Sequence, residues 1–442
     1  MSESESMPPE PPPPFGHQLR RYFGFEEDYL NMNNGSYGSV PIAVSASTEA
    51  TFRLIEGNVD RFIKIRLDEY LTPARHRMAR FVGAGPDEIV FVPNASHGLN
   101  TVLWNLAWNE GDIIITATTT YKPIERTSQH ISDLSPHPSV SVFDLNFPTT
   151  RATVLETFRE HIDGVNADLQ VAQRKISDGT KLKMVAVIDS IASNPGVYLP
   201  WKEMVALCRE RGVLTVIDAA HSLGQELNIN LSIVDPDFWV SNCHKWLYAY
   251  RPCAILYVPI RNQHLIKSAF PTPESYVSPK EQANDPLASR FLEMFEWTGT
   301  TDYTKYLSIH PALHFRQWLG GEQKINGHCR SLALTGGRLL SQLLGTSLLD
   351  PTGEFTLNMT NVELPLSPNI PDNATTRELL LRNLLERWQV SVAIFRHNNR
   401  WWVRVSAQVW NEISDFEYLA KALKDSCEKL EMKYRRKNLV KL

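Results

Sequence analysis

Two residues near the middle of the chain, Asp218 and Lys245, have the types and spacing that chemistry on a ring-bound aldehyde requires. Asp218 closes an apolar run, VLTVIDA (213–219), and Lys245 stands just past the next one, DFWVSN (237–242). A carboxylate at a buried strand end is costly unless a cation or a hydrogen-bond donor meets it. Consecutive strand ends of a parallel sheet are also where open α/β folds bind ligands. An aspartate in that position can keep a pyridine nitrogen protonated, so that the ring draws electrons from a carbanion. A lysine can hold an aldehyde as a Schiff base and then move a proton. Together these are the requirements of pyridoxal 5'-phosphate (PLP). Singly, Asp218 reads equally as a cap or turn and Lys245 as a surface lysine. Taken as a pair, with His244 beside the lysine and the small Ala219 and Ala220 after the aspartate, they favour the cofactor.

The elements that must position this pair are legible as apolar runs. EIVFV (88–92), DIIITA (112–117), VSVFDL (140–145), KMVAVID (183–189), VLTVIDA, DFWVSN and AILYV (254–258) are mostly continuous, as strands covered on both faces are. Helix-like stretches such as 96–108 and 200–212 separate them, the latter closed by Gly212. Alternation of this kind predicts an α/β domain with a mainly parallel seven-stranded sheet over 43–270. A disordered, partly polyproline tail is expected over 1–18, an N-terminal arm over 19–42 and a crossover segment over 271–302. A smaller α+β C-terminal domain is expected over 303–442, with strands at 355–364 and 400–407 and a helix at 411–434. The polar stretch 146–181 reads as a helix plus a loop without an assigned role.

Composition sets further bounds. A formal net charge of −4 gives no electrostatic case for a nucleic-acid or membrane partner. The five cysteines form no CxxC pair and no disulfide framework, and no metal site is read from the sequence. No run reaches the roughly 18 apolar residues of a membrane span. The acidic, proline-rich start lacks the pattern of a signal peptide, so a cytoplasmic protein is expected.

Eight motifs in order carry a resemblance to a known family: NNGSYG (33–38), VPNASHGLN (92–100), GDIIITATTTY (111–121), DSIASNPGVYLP (189–200), DAAHSLG (218–224), SNCHKW (241–246), FEWTGTTD (295–302) and RVSAQVWNE (404–412). The chain resembles fold-type I, class V PLP enzymes, in the branch of isopenicillin N epimerases and hercynylcysteine sulfoxide lyases. The resemblance implies that Lys245 carries the cofactor and that Asp218 meets its ring nitrogen. It implies that Ala95, Ser96 and His97 cradle the phosphate, which suits a helix N-terminus, and that Asn242 and His244 add a second phosphate contact. His221 matches the position bonded to the cofactor's phenolic oxygen; a satisfied core histidine is the alternative. Tyr121 matches the aromatic residue stacked on the ring, where a plain core residue is the alternative. Asn34 and Gly35 fall at the substrate. Arg404 matches the arginine that grips the substrate α-carboxylate with a bidentate fork. Thr300 matches a residue that reaches the phosphate of a neighbouring subunit, which implies a homodimer with shared active sites.

Among the reactions PLP supports, persulfide chemistry is disfavoured, because the family's desulfurases place a mobile cysteine before the carboxylate-binding arginine and here no cysteine lies between Cys329 and Cys427. A C–S lyase acting by β-elimination on a small amino-acid substrate is expected, with hercynylcysteine sulfoxide as the specific substrate and Tyr121 as proton donor. Trp401 and Trp402 read either as an aromatic wall for an imidazole or quaternary ammonium group or as alternating strand residues. The alternatives are an amino-acid epimerase and a non-catalytic PLP-binding regulatory protein.

Overall fold

The structure, a computed structural model, describes Pro8 and residues 10–177, 179–273, 275–278 and 291–439. Its strands are β1 (Leu30–Asn31), β2 (Ile89–Val92), β3 (Ile113–Ala117), β4 (Ser139–Phe143), β5 (Met184–Asp189), β6 (Leu214–Asp218), β7 (Phe238–Asn242), β8 (Ala254–Tyr257), β9 (Met359–Glu363), β10 (Val390–Ser391), β11 (Ala393–His397) and β12 (Arg400–Ser406). Seven of them form one sheet in the order β2-β8-β7-β6-β5-β3-β4. All are parallel except β8, which runs against both its neighbours. Each of these strands lies within two residues of a predicted apolar run.

The continuity of those runs has a direct cause. Val90, Val185, Val187, Val216 and Val240 bury on one face of the sheet, beneath the helix Ala95–Asn105. Ile89, Ala186, Ile188, Ile217 and Trp239 bury on the other. With both faces dry, alternation of polar and apolar residues has no use. Because β2, β3, β5, β6 and β7 point the same way, their carboxyl ends, and the loops that carry Ser96, Tyr121, Asp189, Asp218 and Lys245, collect at one edge.

A second apolar cluster belongs to the three-stranded antiparallel sheet β11-β12-β9 and the helices that cover it, Gly321–Leu344 and Ile413–Leu439. The helices Thr304–Leu307 and Ile309–Trp318, expected in the small domain, instead pack in the large body through Leu307, Ile309 and Phe315. Helix Gly321–Leu344 begins in the large cluster at Ile325 and Cys329 and ends in the small one at Leu340 and Leu344. The boundary between the bodies therefore falls inside a helix, later than residue 303.

The chain before residue 38 joins both bodies. β1 pairs in parallel with β10 of the small body, while Asn34 Nδ2 donates to Lys245 O of the large one at 2.9 Å. The tail expected through residue 18 is shorter than predicted: Trp318 Nε1 donates to Glu10 O, Gly16 N–H to Val409 O, and His17 Nε2 meets Asp415 Oδ1, each at 2.8 Å. Residues 1–7 and 9 lie outside the described set, as do 279–290 of the expected crossover segment. The stretch 146–181 contains the helix Arg151–Gln173, capped by Thr150, whose side chain accepts from Thr153 N–H. Among the described residues no helix is long and apolar enough to cross a membrane.

Candidate active site

β5 and β6 run in parallel register with Asp189 opposite Asp218, so two carboxyl groups stand side by side at the sheet edge, both buried. Asp218 Oδ1 accepts Ala220 N–H at 3.0 Å. Burial and the neighbouring charge of Asp218 push the Asp189 acid well above its ordinary range. Burial raises Asp218 too, but the Ala220 N–H and the Lys245 charge oppose that rise. Because two adjacent carboxylates in a dry site resist ionising together, the proton is favoured on Asp189.

Lys245 follows β7 across a two-residue connection. Burial lowers its ammonium to about 8, with Asp218 pulling the other way. His221 stands against it, Nε2 to Nζ 3.2 Å. The Trp246 indole N–H donates to His221 Nδ1 at 3.2 Å, so a neutral imidazole carries its proton on Nε2. Burial and the nearby cations Lys245 and Arg404 hold His221 well below its usual range and therefore neutral. An Nε2–H facing Nζ can donate only to an uncharged amine. The ring thus favours the nucleophilic form of the lysine. His221 is a buried core histidine, 1% exposed, and its Nε2 also stands against Lys245 Nζ.

Tyr121 lies four residues past β3 and opens the helix Lys122–Asp133. Its ring is 39% exposed, and Lys245 Nζ sits 6.0 Å from its centroid. A face left open to a site suits stacking against a second ring. Burial, Asp218 and Tyr37 raise its phenol, so the hydroxyl keeps its proton at neutral pH.

The helix Ala95–Asn105 carries the residues expected at the phosphate, Ala95, Ser96 and His97. Ser96 was expected to open it; the helix opens one residue earlier, with Asn94 as its cap, accepting from His97 N–H at 2.8 Å. Asn242 Oδ1, at the end of β7, accepts Ala95 N–H at 2.9 Å. Both flanking donors, the Ala95 and His97 N–H groups, are thereby used, and a helix N-terminus of this kind suits an anion. His244 bonds through Nδ1 to Cys253 O at 2.9 Å, and burial lowers it to about 4, so it is neutral. Gly98 lets this helix lie on the sheet: a Cβ there would stand 2.8 Å from Val240 Cγ1.

Arg404, on β12, is 1% exposed and has only neutral partners among the described residues. Its Nη1 donates to Ser193 O at 2.7 Å and Ser193 Oγ at 3.1 Å. Its Nη2 donates to Asn33 Oδ1 at 3.1 Å and Ser36 Oγ at 2.9 Å. Burial without an anion lowers it to about 10, and Nε has no partner among the described residues. A buried guanidinium in this state has no counter-ion among the described residues, which costs free energy unless an anion meets it.

Sequence reasoning pointed to Asn34 and Gly35 as substrate contacts. Asn34 uses Nδ2 on Lys245 O, leaving Oδ1 unpartnered, and Gly35 N–H donates to Ser406 Oγ at 3.2 Å. Their neighbours Asn33 and Ser36 are the ones that touch Arg404. Asp189 and Ser193 were also missed, although both lie in the motif DSIASNPGVYLP. The tryptophan wall is corrected: Trp401 is in the small core and Trp402 in the large one, and each indole donates to a main-chain oxygen, Ile370 O and His397 O. Thr300 is exposed in the loop after Phe291–Glu296, a helix that packs on the edge strand β2. It makes no described contact with the Lys245 group.

PLP fits this donor set. It comprises a lysine lowered to about 8, an aspartate at the adjacent strand end, a part-exposed tyrosine ring whose centroid lies 6.0 Å from the lysine Nζ, and a helix N-terminus tied to the end of β7, while Arg404 Nε and Asn34 Oδ1 are buried without a partner among the described residues.

The aminotransferase class-V family matches residues 34–365. An L-cysteine desulfhydrase-like protein of Epichloe uncinata, lolT1, is 32% identical over 94% of this chain and 97% of its own length. The hercynylcysteine sulfoxide lyase of Schizosaccharomyces pombe is 31% identical over 93% of this chain and 98% of its own. Among solved structures, a complex of the cystine C–S lyase C-DES with cysteine persulfide superposes with a TM-score of 0.71 at 18% identity, covering 90% of this chain and 98% of that one.

Proposed function

We propose that this chain, which belongs to the aminotransferase class-V family and works with pyridoxal phosphate, is a carbon–sulfur lyase that opens cysteine S-conjugate sulfoxides by β-elimination, with hercynylcysteine sulfoxide of ergothioneine synthesis as its substrate. The observation that carries the proposal is Tyr121, a phenol held protonated within reach of the same space as the Lys245 amine. Elimination needs a base at Cα and an acid at the departing sulfur group, and these two side chains supply them. Likeness to the S. pombe lyase supports the substrate. The five cysteines are all buried, so none of them in this state offers a mobile thiolate for persulfide chemistry.

When bound, PLP supplies an aldehyde for the substrate amine and a ring that withdraws the electron pair left on Cα. The protein's own groups do the rest. Arg404 exchanges its neutral partners for the substrate α-carboxylate, which orients the Cα–H bond. Lys245, whose neutral form is favoured by burial and by the His221 N–H, takes the Cα proton. Asp218, ionised while Asp189 holds the shared proton, balances positive charge on the ring nitrogen. Tyr121 gives its proton to the departing sulfur–oxygen group as the Cβ–S bond breaks, and its exposed edge lets solvent restore that proton. The balance is R–S(O)–CH2–CH(NH3+)–COO− plus water giving R–SOH, pyruvate and ammonium.

The test is pyruvate release across cysteine S-conjugates and their sulfoxides. Hercynylcysteine sulfoxide should yield pyruvate in step with the sulfur product, while alanine gives at most slow exchange of its α-hydrogen. Tyr121→Phe should retain PLP, because the ring still stacks, yet slow elimination on the order of 10²–10⁴-fold, the usual loss of a general acid. Efficient racemisation of amino acids without a leaving group, together with no pyruvate from any sulfur substrate, would replace the lyase with an epimerase.

A further inference from the structure

An open cavity of about 670 Å³ has on its lining Asn33, the residue whose Oδ1 accepts from Arg404. That is the size of sites which enclose a ligand rather than a single water. The turn Asn33–Gly38 forms one wall, and this is the turn that delivers Asn33 Oδ1 and Ser36 Oγ to Arg404. Phe25, Tyr29, Tyr37 and Tyr250 contribute four aromatic rings, and Arg251 is the one Lys, Arg, Asp or Glu side chain on the lining. Arg251 Nη1 donates to Tyr37 O and Gly38 O, both at 3.0 Å. No carboxylate among the described residues pairs with it. Two guanidinium groups are thus fixed to one six-residue turn, each held only by neutral oxygens. Gly38 makes the arrangement possible: at φ +71° its missing Cβ would fall 1.6 Å from His244 O, so the turn lies directly on the backbone that carries Lys245.

Arg404 and Lys245 account for the amino-acid end of a substrate and leave the cavity without an occupant. We propose that the cavity receives the S-substituent, and that Arg251, on its lining, binds a second carboxylate of that substituent. The substrates are then cysteine S-conjugates whose leaving group carries a distal acid, with a flat or cationic portion between the two ends that packs against the tyrosines. The proposal rests on the C–S lyase function and narrows its substrate class. It moves the aromatic wall from the buried tryptophans to Tyr29, Tyr37 and Tyr250.

The experiment compares S-(4-carboxybutyl)cysteine sulfoxide with its terminal amide on the PLP-loaded enzyme. Wild type should prefer the acid in kcat/KM by roughly 10- to 100-fold, the usual worth of a hydrogen bond to a charged group. Arg251→Gln should bring that preference to within about twofold, and Arg251→Lys should keep part of it. Because the ratio is taken within each variant, a general loss from disturbing the turn cancels. Equal rates in wild type, or an unchanged preference in Arg251→Gln, overturn the proposal. If neither sulfoxide releases pyruvate, these analogues do not report turnover, and the lyase function is judged by hercynylcysteine sulfoxide instead. Calorimetric binding of the uncleaved thioethers S-(4-carboxybutyl)cysteine and its amide then still reads Arg251. A preference for the acid that Arg251→Gln abolishes supports the subsite, and equal affinities refute it.

Discussion

Lys245 shows how much a single environment changes a residue. At pH 7 an ordinary lysine is neutral in fewer than about one molecule in a thousand, whereas a lysine at about 8 is neutral in roughly a tenth. The sign follows from burial, which penalises the charged form of a base and releases its proton at lower pH. Capture of added PLP by the apoprotein requires the amine. Its rate, followed by Schiff-base absorbance, should climb about tenfold between pH 6 and 7 and level off above about 8. A rate that keeps climbing toward pH 10 would show that the lysine is not perturbed. Asp218 and Lys245 were legible because each follows an apolar run, and a charged residue in that position calls for a partner. Asp189 ends such a run as well. Its part in the site comes from lateral register with Asp218, which a linear sequence does not display.

At the scale of elements, the helix Ala95–Asn105 is tied to the sheet edge by one side chain. Asn242 Oδ1 takes the Ala95 N–H and so fixes where the helix N-terminus points. Asn242→Asp preserves that acceptor and the side-chain shape but adds a negative charge beside the proposed phosphate site. The folded protein should persist by circular dichroism, while PLP affinity measured by equilibrium dialysis should fall on the order of 10- to 100-fold. Unchanged affinity would place the phosphate elsewhere. The seven strands of the large sheet could be read in advance because two dry faces leave unbroken apolar runs. The small sheet was only half legible. β11 reads AIFRH, with a polar end, and its place depends on pairing with β12 rather than on its own pattern. Trp401 and Trp402 were ambiguous for a related reason. Alternation puts them on opposite faces of β12, and only the fold reveals that a different core waits on each side.

At the scale of the whole molecule, Thr300 is exposed near the edge strand β2 while the Lys245 group gathers at the strand ends. A homodimer that carries Thr300 to the partner's phosphate would reconcile its family motif with its exposure. Subunits with Lys245→Ala and subunits with Thr300→Ala should each be poorly active alone. Mixed after dissociation, they should regain activity, because the heterodimer combines an intact lysine with an intact threonine at one site. Heterodimers that form without any recovery would rule out a shared site.

The helix Gly321–Leu344 has its first turns in one apolar core and its last in the other. Helix formation propagates along its length, so loss of either core removes support from the segment that enters the other. The consequence is thermodynamic coupling: the two bodies should melt as one unit, with a single calorimetric endotherm whose enthalpy matches its van't Hoff value. Ser331 is exposed on the stretch between the two clusters. Ser331→Pro would break the ladder there at a cost of about 3 kcal/mol. It should split the endotherm into two, the small body melting first; a single sharp transition in that variant would assign the coupling instead to the chain before residue 38 and to the Arg404–Ser193 bonds.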